Sequence, residues 1–491
     1  YRASDVDPER LESSFAMAKR AAGELLHGLV ATQGDHPGVV ICGGARLKME
    51  DPRHREDCEL AIRAGESVAR EGFSVHTGGG MGVMHYAAVG GRNEQERNPN
   101  APRVLGSRIS LPFETVDSPC LDLVSRHDYF FTRKAVMFKN AAGAMILPGG
   151  MGTLDEYFDA LRFASTSKEP FPAPLVGEIW RPLHHWLKEH ADGPGQRGYI
   201  SKEALDRIQL FTGRYAEIEA TEYIKAESAQ RVARFHRNHA AGNHGPLVHD
   251  IFGSESDLLR HPEFYRADVT MVWDFLEDMF STFRFLHGRQ GPAIGVIGSS
   301  QATTEDAHLH FADRLGSEIG ALGLHMLAAQ DSGLMALAGL AARTFKSSET
   351  SVAFLDRAGN SFGPDTHLCV MDPVRRAGFL KGTYGAVVMP GGIGTIDTAC
   401  ETQNLINCGK IDYSLVFAGT KYWTPFKEAL QGIAQRWGYL SEREVAKMQI
   451  TDDPSVAISA SILHSKRFGR AVMESQRRIP LPVLSPDVFS A

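Results

Sequence analysis

The 491-residue sequence has no apolar run long enough to cross a bilayer, which sets aside an integral membrane role. It also lacks an excess of basic residues. The net charge is -7, and Lys and Arg are dispersed apart from short clusters such as "RVARFHR", so neither a nucleic-acid nor an anionic-membrane surface is expected. Cysteine is sparse: Cys42, Cys58, Cys120, Cys369, Cys400 and Cys408 form no CxxC pair. That argues against a disulfide scaffold and for reduced thiols in a cytoplasmic protein. No leader-like segment opens the sequence as it stands, which begins at Tyr1. Neither a P-loop nor the Rossmann dinucleotide fingerprint is present.

What is present is a repetition. "PGGMGTLDE" from Pro148 returns as "PGGIGTIDT" from Pro390, an offset of 242 residues. "RGYISKEAL" matches "WGYLSEREV" at an offset of 240, and "LVGEIW" matches "LVFAGTKYW" at 243. "GVVICGGAR" has its counterpart in "IGVIGSS". The chain therefore reads as two homologous units. The expected divisions are an N-terminal helical segment (1–34), a first unit (35–215), a helical linker (216–290), a degenerate second unit (291–465) and a tail (466–491). The leading segment carries Leu11, Phe15, Ala18, Ala22 and Leu25 at helical spacing, as expected of a helix packed on a unit or on a partner.

Within the first unit, short β-rich runs alternate with helical periodicity. "GVVICGG", "FSVHTGG", "LGSRISLP", "AMILPGG" and "PLVGEI" read as strands; "DCELAIRAGESVAREG" and "GTLDEYFDALRFAST" read as helices. Such alternation predicts an α/β fold, a Rossmann-like doubly wound parallel sheet in each unit. Ligands are then expected at the carboxyl ends of the strands, where three glycine-rich loops should gather: Gly43 and Gly44, then Gly79, Gly80 and Gly82, then Gly149, Gly150 and Gly152 with Thr153. Glycines permit close backbone approach, and a helix beginning near Thr153 would present free N–H groups to an anion.

Thr153-x-x-Glu156 also has the pattern of a capping box, which gives Glu156 a purely structural alternative. The second copy nevertheless opens its helix with Thr398 at that position, which weakens the structural account. Fifteen residues before each PGG stands a basic pair, Arg133-Lys134 and Arg375-Arg376. Its retention beside an anion-binding loop points to a ligand role, for which the planar guanidinium fork is suited.

"CGGAR", "GGGMGVM", "TRKAVM" and above all "PGGMGTLDE" resemble the Lonely Guy (LOG) family, long mislabelled as lysine decarboxylases. The resemblance covers most of the first unit and, degraded, most of the second. It implies a Rossmann-like fold and phosphoribohydrolase activity: hydrolysis of nucleoside 5′-monophosphates such as AMP or cytokinin riboside monophosphates to free base and ribose 5-phosphate. The family's catalytic Arg and Glu fall on Arg133 and Glu156, with Lys134 and the glycines of the three loops on the substrate side. Breaking a ribosyl C–N bond builds positive charge at C1′, which a carboxylate stabilises, and a phosphate anchor orients the reacting centre. A decarboxylase reading is set aside because no lysine stands in a recognisable pyridoxal-phosphate setting. The rival reading is a non-catalytic nucleotide or cofactor carrier.

The second copy keeps Arg375, Gly391, Gly392, Gly394 and Thr395 but has Thr398 for the glutamate and "QDSG" for the triple glycine. A threonine supplies no negative charge, and Glu401 is displaced by nearly a turn, so this copy reads as catalytically dead. Its loop is a possible second nucleotide site, or the unit is only a packing partner. Single-copy LOG proteins resemble homodimers with sites at the subunit interface. A fused pair reproduces that pseudo-dimer within one chain, and the chain is expected to oligomerise further. His236, His239, His244 and His249 crowd the linker, but neither their spacing nor the family calls for a metal, and no cofactor is expected. His85 is a candidate either for the base pocket or for core packing, His76 and Met84 default to structure, and Arg92 to Arg103 reads as a polar loop able to overhang the pocket.

Overall fold

The computed structural model describes residues 8–32, 36–111, 116–139, 141–166, 170–189, 198–240, 262–287, 293–302, 308–329, 332–345, 352–356, 366–369 and 371–463. Two seven-stranded parallel sheets are formed. The first contains β1 (Gly38–Cys42), β2 (Ser74–Thr77), β3 (Val104–Ile109), β4 (Leu123–His127), β5 (Ala141–Ile146), β6 (Leu175–Val176) and β7 (Leu210–Phe211) in the order β4-β3-β2-β1-β5-β6-β7. The second contains β8 (Ala293–Ile297), β9 (His325–Ala328), β10 (Val352–Asp356), β11 (Thr366–Leu368), β12 (Gly385–Val388), β13 (Ser414–Ala418) and β14 (Gln449–Thr451), in the matching order β11-β10-β9-β8-β12-β13-β14. This is the Rossmann-like α/β architecture expected from the alternating pattern. β1 and β5 are apolar throughout and fully buried, as strands covered on both faces must be. Strand order reverses between β1 and β5, so the crevice at their carboxyl ends is the topological switch point where doubly wound sheets bind ligands. No helix among the described residues is long and apolar enough to cross a membrane.

The helix Pro8–Ala31 packs against Phe130–Lys139, the helix that carries Arg133. Its Glu24 carboxylate accepts hydrogen bonds from Asp128 N (2.9 Å), Tyr129 N (3.4 Å) and Thr132 Oγ1 (2.7 Å) at that helix's amino end. A negative group there satisfies free N–H groups and complements the helix dipole. The helix Pro262–His287 plays the same part for the second copy, where Asp278 accepts from Met371 N (2.7 Å) ahead of Asp372–Gly382. The two leading helices also pack on one another, with Phe15 and Phe280 stacked at 5.2 Å. Helix Ala216–Glu227 lies on the first sheet's helical layer through Arg63–Glu217 (3.0 Å) and Ser67–Thr221 (3.0 Å). Of the four crowded histidines, His236 is exposed, His239 has no described side chain, and His244 and His249 lie outside the described residues.

The two copies meet along Met151–Thr166 and Ile393–Asn407, the helices that follow the two PGG loops. Their contacts come in matched pairs. Lys134 reaches Asp155 (2.8 Å) and Asp159 (3.3 Å); Arg376 reaches Asp397 (2.9 Å) and Glu401 (2.6 Å). Across the seam Lys134 approaches Glu401 (3.6 Å) and Arg376 grips Asp159 (2.7 Å). Burial alone would depress the Lys134 ammonium, but the three carboxylates outweigh it and raise its pKa above the ordinary lysine value. Burial likewise pushes Asp159 up, while Arg376 and Lys134 more than reverse this and hold it below the usual aspartate range. Beside this seam, Trp186 of the first copy packs among Tyr422, Trp423 and Phe426 of the second, at ring separations of 4.8–6.4 Å.

Lys134 therefore belongs to the junction and not to a phosphate site: its amine is fully buried and saturated with carboxylates. Glu401, weighed as a substitute for the missing glutamate, is likewise committed to Arg376. Replacing Lys134 with Ala leaves buried carboxylates short of a cation. Urea unfolding should show a loss of about 3–5 kcal/mol, the usual cost of orphaning one side of a buried ion pair.

Candidate active site

At the switch point the backbone is closely knitted. Gly44 N donates to Pro148 O (2.9 Å), and Val83 N donates to Gly44 O (2.9 Å), which joins the loops after β1, β2 and β5. Gly82 has φ +70°, and a Cβ there would lie 2.3 Å from Gly44 O, so only glycine fits. Gly79, Gly80 and Gly149 serve this close packing and do not line the cavity; a Cβ on Gly149 would meet Thr153 Oγ1 at 2.1 Å. Gly43, Gly44, Gly150, Gly152 and Thr153 do line it.

Glu156 and Arg133 face each other inside this cleft, both buried, with Arg133 Nη2 donating to Glu156 Oε1. The capping-box alternative fails on helix register. The helix starts at Met151, so Thr153 already lies in its first turn and the Glu156 carboxylate turns to Arg133. The Arg133 guanidinium also lies 5.4 Å from the Phe130 ring centroid, and its Nε has no hydrogen-bond partner. Burial and the charge of Arg133 hold the nearby His76 at about 4 and His127 at about 3, so both stay neutral. The Cys42 thiol is pushed well above its usual value by burial and by Glu156 beside it. Arg133 and Glu156 are thus the charges at the heart of the cleft.

Apart from Met84, the last residue of "GGGMGVM", the other walls lie outside the first unit's quoted motifs. Met84, Ile109, Leu111 and Phe130 supply an apolar side. Met84 was read as structural, but helix Val83–Arg97 begins beside Gly44 and turns this side chain inward. His85 is bound to Ser118 Oγ (3.0 Å) and is not a lining residue. Residues 92–97 continue the same helix and do not overhang the cleft, since Arg97 is held by Glu66 at 3.3 Å and Arg92 by Asp122 at 2.9 Å.

The remaining wall comes from the second copy: Asn404, Asn407, Cys408, Tyr439, Leu440 and Glu444. Arg46 of "CGGAR" meets Glu444 through two contacts of 3.2 Å at the rim. Tyr439 O lies 2.5 Å from where a Gly150 Cβ would stand, and its hydroxyl bonds Asp57. The arrangement is reciprocal, since Tyr199 O lies 2.3 Å from the Gly392 Cβ position. The "GYIS" and "GYLS" repeats are therefore caps, each seated on the other copy's PGG loop. Those paired repeats were the sequence signal for this wall.

A doubly wound parallel sheet with a glycine-walled cleft and an internal carboxylate–guanidinium pair at its switch point defines a Rossmann-like α/β protein with a cleft where such sheets bind ligands. The family model described as "Possible lysine decarboxylase" matches residues 81–219 and 357–460. The chain belongs to this family, the LOG family. The cytokinin riboside 5′-monophosphate phosphoribohydrolase of Mycobacterium tuberculosis is 29% identical over 177 residues, 36% of this chain and 87% of the relative. The protein of the same name from Mycobacterium marinum is 30% identical over 192 residues, 36% of this chain and 91% of the relative. Among solved structures, the molybdenum cofactor binding protein of Rippkaea orientalis is 19% identical with a TM-score of 0.28, over 38% of this chain and 97% of that one.

Gly150→Ala and Gly392→Ala should both push a tyrosine cap away from its loop. Each is expected to lower stability by about 1–3 kcal/mol, the usual range for overpacking. Only Gly150→Ala, measured by binding of ribose 5-phosphate, should also weaken ligand affinity.

Proposed function

We propose that the cleft hydrolyses the N-glycosidic bond of nucleoside 5′-monophosphates, AMP-like or cytokinin riboside monophosphates, releasing free base and ribose 5-phosphate. The observation that carries this reading is the Arg133–Glu156 pair enclosed at the switch point, in a chain whose relatives are named phosphoribohydrolases. The 5′-phosphate sits against Gly43, Gly44, Gly150, Gly152 and Thr153, where the first turn of helix Met151–Thr166 presents N–H groups. The cleft's volume is about 130 Å³, below the roughly 300–1,000 Å³ usual for small-molecule sites. A nucleotide therefore seats by parting Arg133 from Glu156, which frees the carboxylate for the ribose.

As the C1′–N bond breaks, its electron pair leaves with the base and positive charge grows at C1′. Glu156 stabilises that charge and orients the attacking water, whose hydroxyl oxygen joins C1′ while a proton goes to the departing base. Arg133, with neutral histidines around it, balances negative charge on the phosphate or the base. Among the described residues no lysine lines the cleft, so it offers no amine there for Schiff-base chemistry.

The reading extends to the chain's organisation. Each copy with its leading helix forms one half of an intrachain pseudo-dimer, the first half spanning 8–240 and the second 262–463. The second copy completes the first copy's pocket with Asn404, Tyr439 and Leu440. Phosphorylated nucleotides and free cysteines are both at home in the cytoplasm, where we place the chain.

Incubation with a panel of nucleoside monophosphates, with chromatographic detection of free base, tests the activity. Glu156→Ala should reduce base release by about 10²–10⁴-fold, the range for loss of a positioned general base. Thr398→Ala should leave the rate within about twofold, since residues that do not touch the reacting groups contribute little to transition-state binding. Binding of a nucleotide without any base release would instead favour the carrier reading.

A further inference from the structure

Asn404 enters the first cleft from the second copy, donating from Nδ2 to Asp155 Oδ2 at 3.0 Å. The position 242 residues earlier is Arg162, and its Nη1 donates to Asp397, the counterpart of Asp155, also at 3.0 Å. The contact is the same in both directions, but a short neutral amide faces the first copy and a long cation faces the second. Arg162 reaches further, with Nη2 2.6 Å from Asp372 Oδ1. Asp372 stands at the register of Phe130, a wall of the first cleft, and Arg375 stands at the register of Arg133. Arg375 meets the same Asp372 oxygen at 3.1 Å and donates to Ala329 O at 3.1 Å.

The Arg162 guanidinium thus lies against Asp372, at the register of Phe130, which lines the first copy's cleft, and against Asp397, at the register of Asp155, the seam residue that holds Asn404. Arg162 and Arg375 are both buried, and Asp397 is fully so. Burial and the charge of Arg162 push Arg375 down to about 10.

We propose that Arg162 is a built-in plug of the second copy's pocket, so that the chain holds one nucleotide site and the Asn404/Arg162 difference decides which copy is open. This rests on the reading of the first cleft as a nucleotide site. The plug is an ion-paired side chain that a ligand must displace from two carboxylates, one of them without access to water. Asp372 and Asp397, which it shares with Arg375 and Arg376, hold the guanidinium in place. Of the retained glycines, Gly392 then serves the junction, where Tyr199 O lies 2.3 Å from its Cβ position, in place of holding a ligand. Loss of Glu156's equivalent at Thr398 follows naturally, since a sealed pocket has no reaction to support.

The test is calorimetric titration of the full chain with ribose 5-phosphate, which carries the anchoring group and is not turned over. The unaltered chain should bind one molecule, Arg162→Asn should bind two, and Asn404→Arg should bind none while keeping its circular dichroism. Two molecules on the unaltered chain overturn the plug. So does a single molecule on a folded Arg162→Asn chain. Should Arg162→Asn fail to fold, the converse variant decides: undiminished binding by Asn404→Arg refutes the proposal. No binding by the unaltered chain defeats the nucleotide reading itself, and the plug with it.

Discussion

Lys134 and Arg376, buried among Asp155, Asp159, Asp397 and Glu401, set the constraint on which the rest of the molecule depends. Charges this far from water persist only when their partners are held in place. Helices Met151–Thr166 and Ile393–Asn407 can therefore adopt only the register in which each cation reaches acids of both copies. Once that register is set, the other contacts follow in pairs: Asn404 to Asp155, Arg162 to Asp397, Tyr439 over Gly150 and Tyr199 over Gly392. The glycine loops become walls of a closed cleft because a second copy stands opposite them.

The scaffold is nearly symmetric and the chemistry is not. Both copies keep the parallel strand order, a backbone clasp onto the PGG proline carbonyl (from Gly44 N in the first copy, Ser299 N in the second) and an acid from a leading helix at the start of the arginine helix. The copies part at positions that face the cleft: Glu156 against Thr398, Phe130 against Asp372, Asn404 against Arg162. Junction residues stay because both halves need them for folding.

Much of this was legible without coordinates. Alternating strand and helix patterns and a constant offset of about 242 residues implied two parallel α/β sheets with the glycine loops at one edge. The short strands β4 and β7 escaped notice: β4 carries Ser125, Arg126 and His127 in place of an apolar run, and β7 is two residues long. The adjacent basic pair misled, because Arg133 and Lys134 point to different places from neighbouring positions on one helix. One enters the cleft and the other enters the seam. The capping-box pattern misled as well, since a helix that starts two residues early changes the role of every side chain in its first turn.

The sequence by itself determined the fold class, the repeat and the two charged residues at the heart of the cleft, because strand periodicity and loop glycines act locally and leave a local record. Only the tertiary structure decided that Glu156 faces Arg133, that Lys134 is a junction residue, and that a third of the cleft wall comes from the other copy. The first two depend on which faces of neighbouring helices meet about the sheet, the last on surfaces more than 200 residues apart in the chain, and no short-range pattern encodes either meeting.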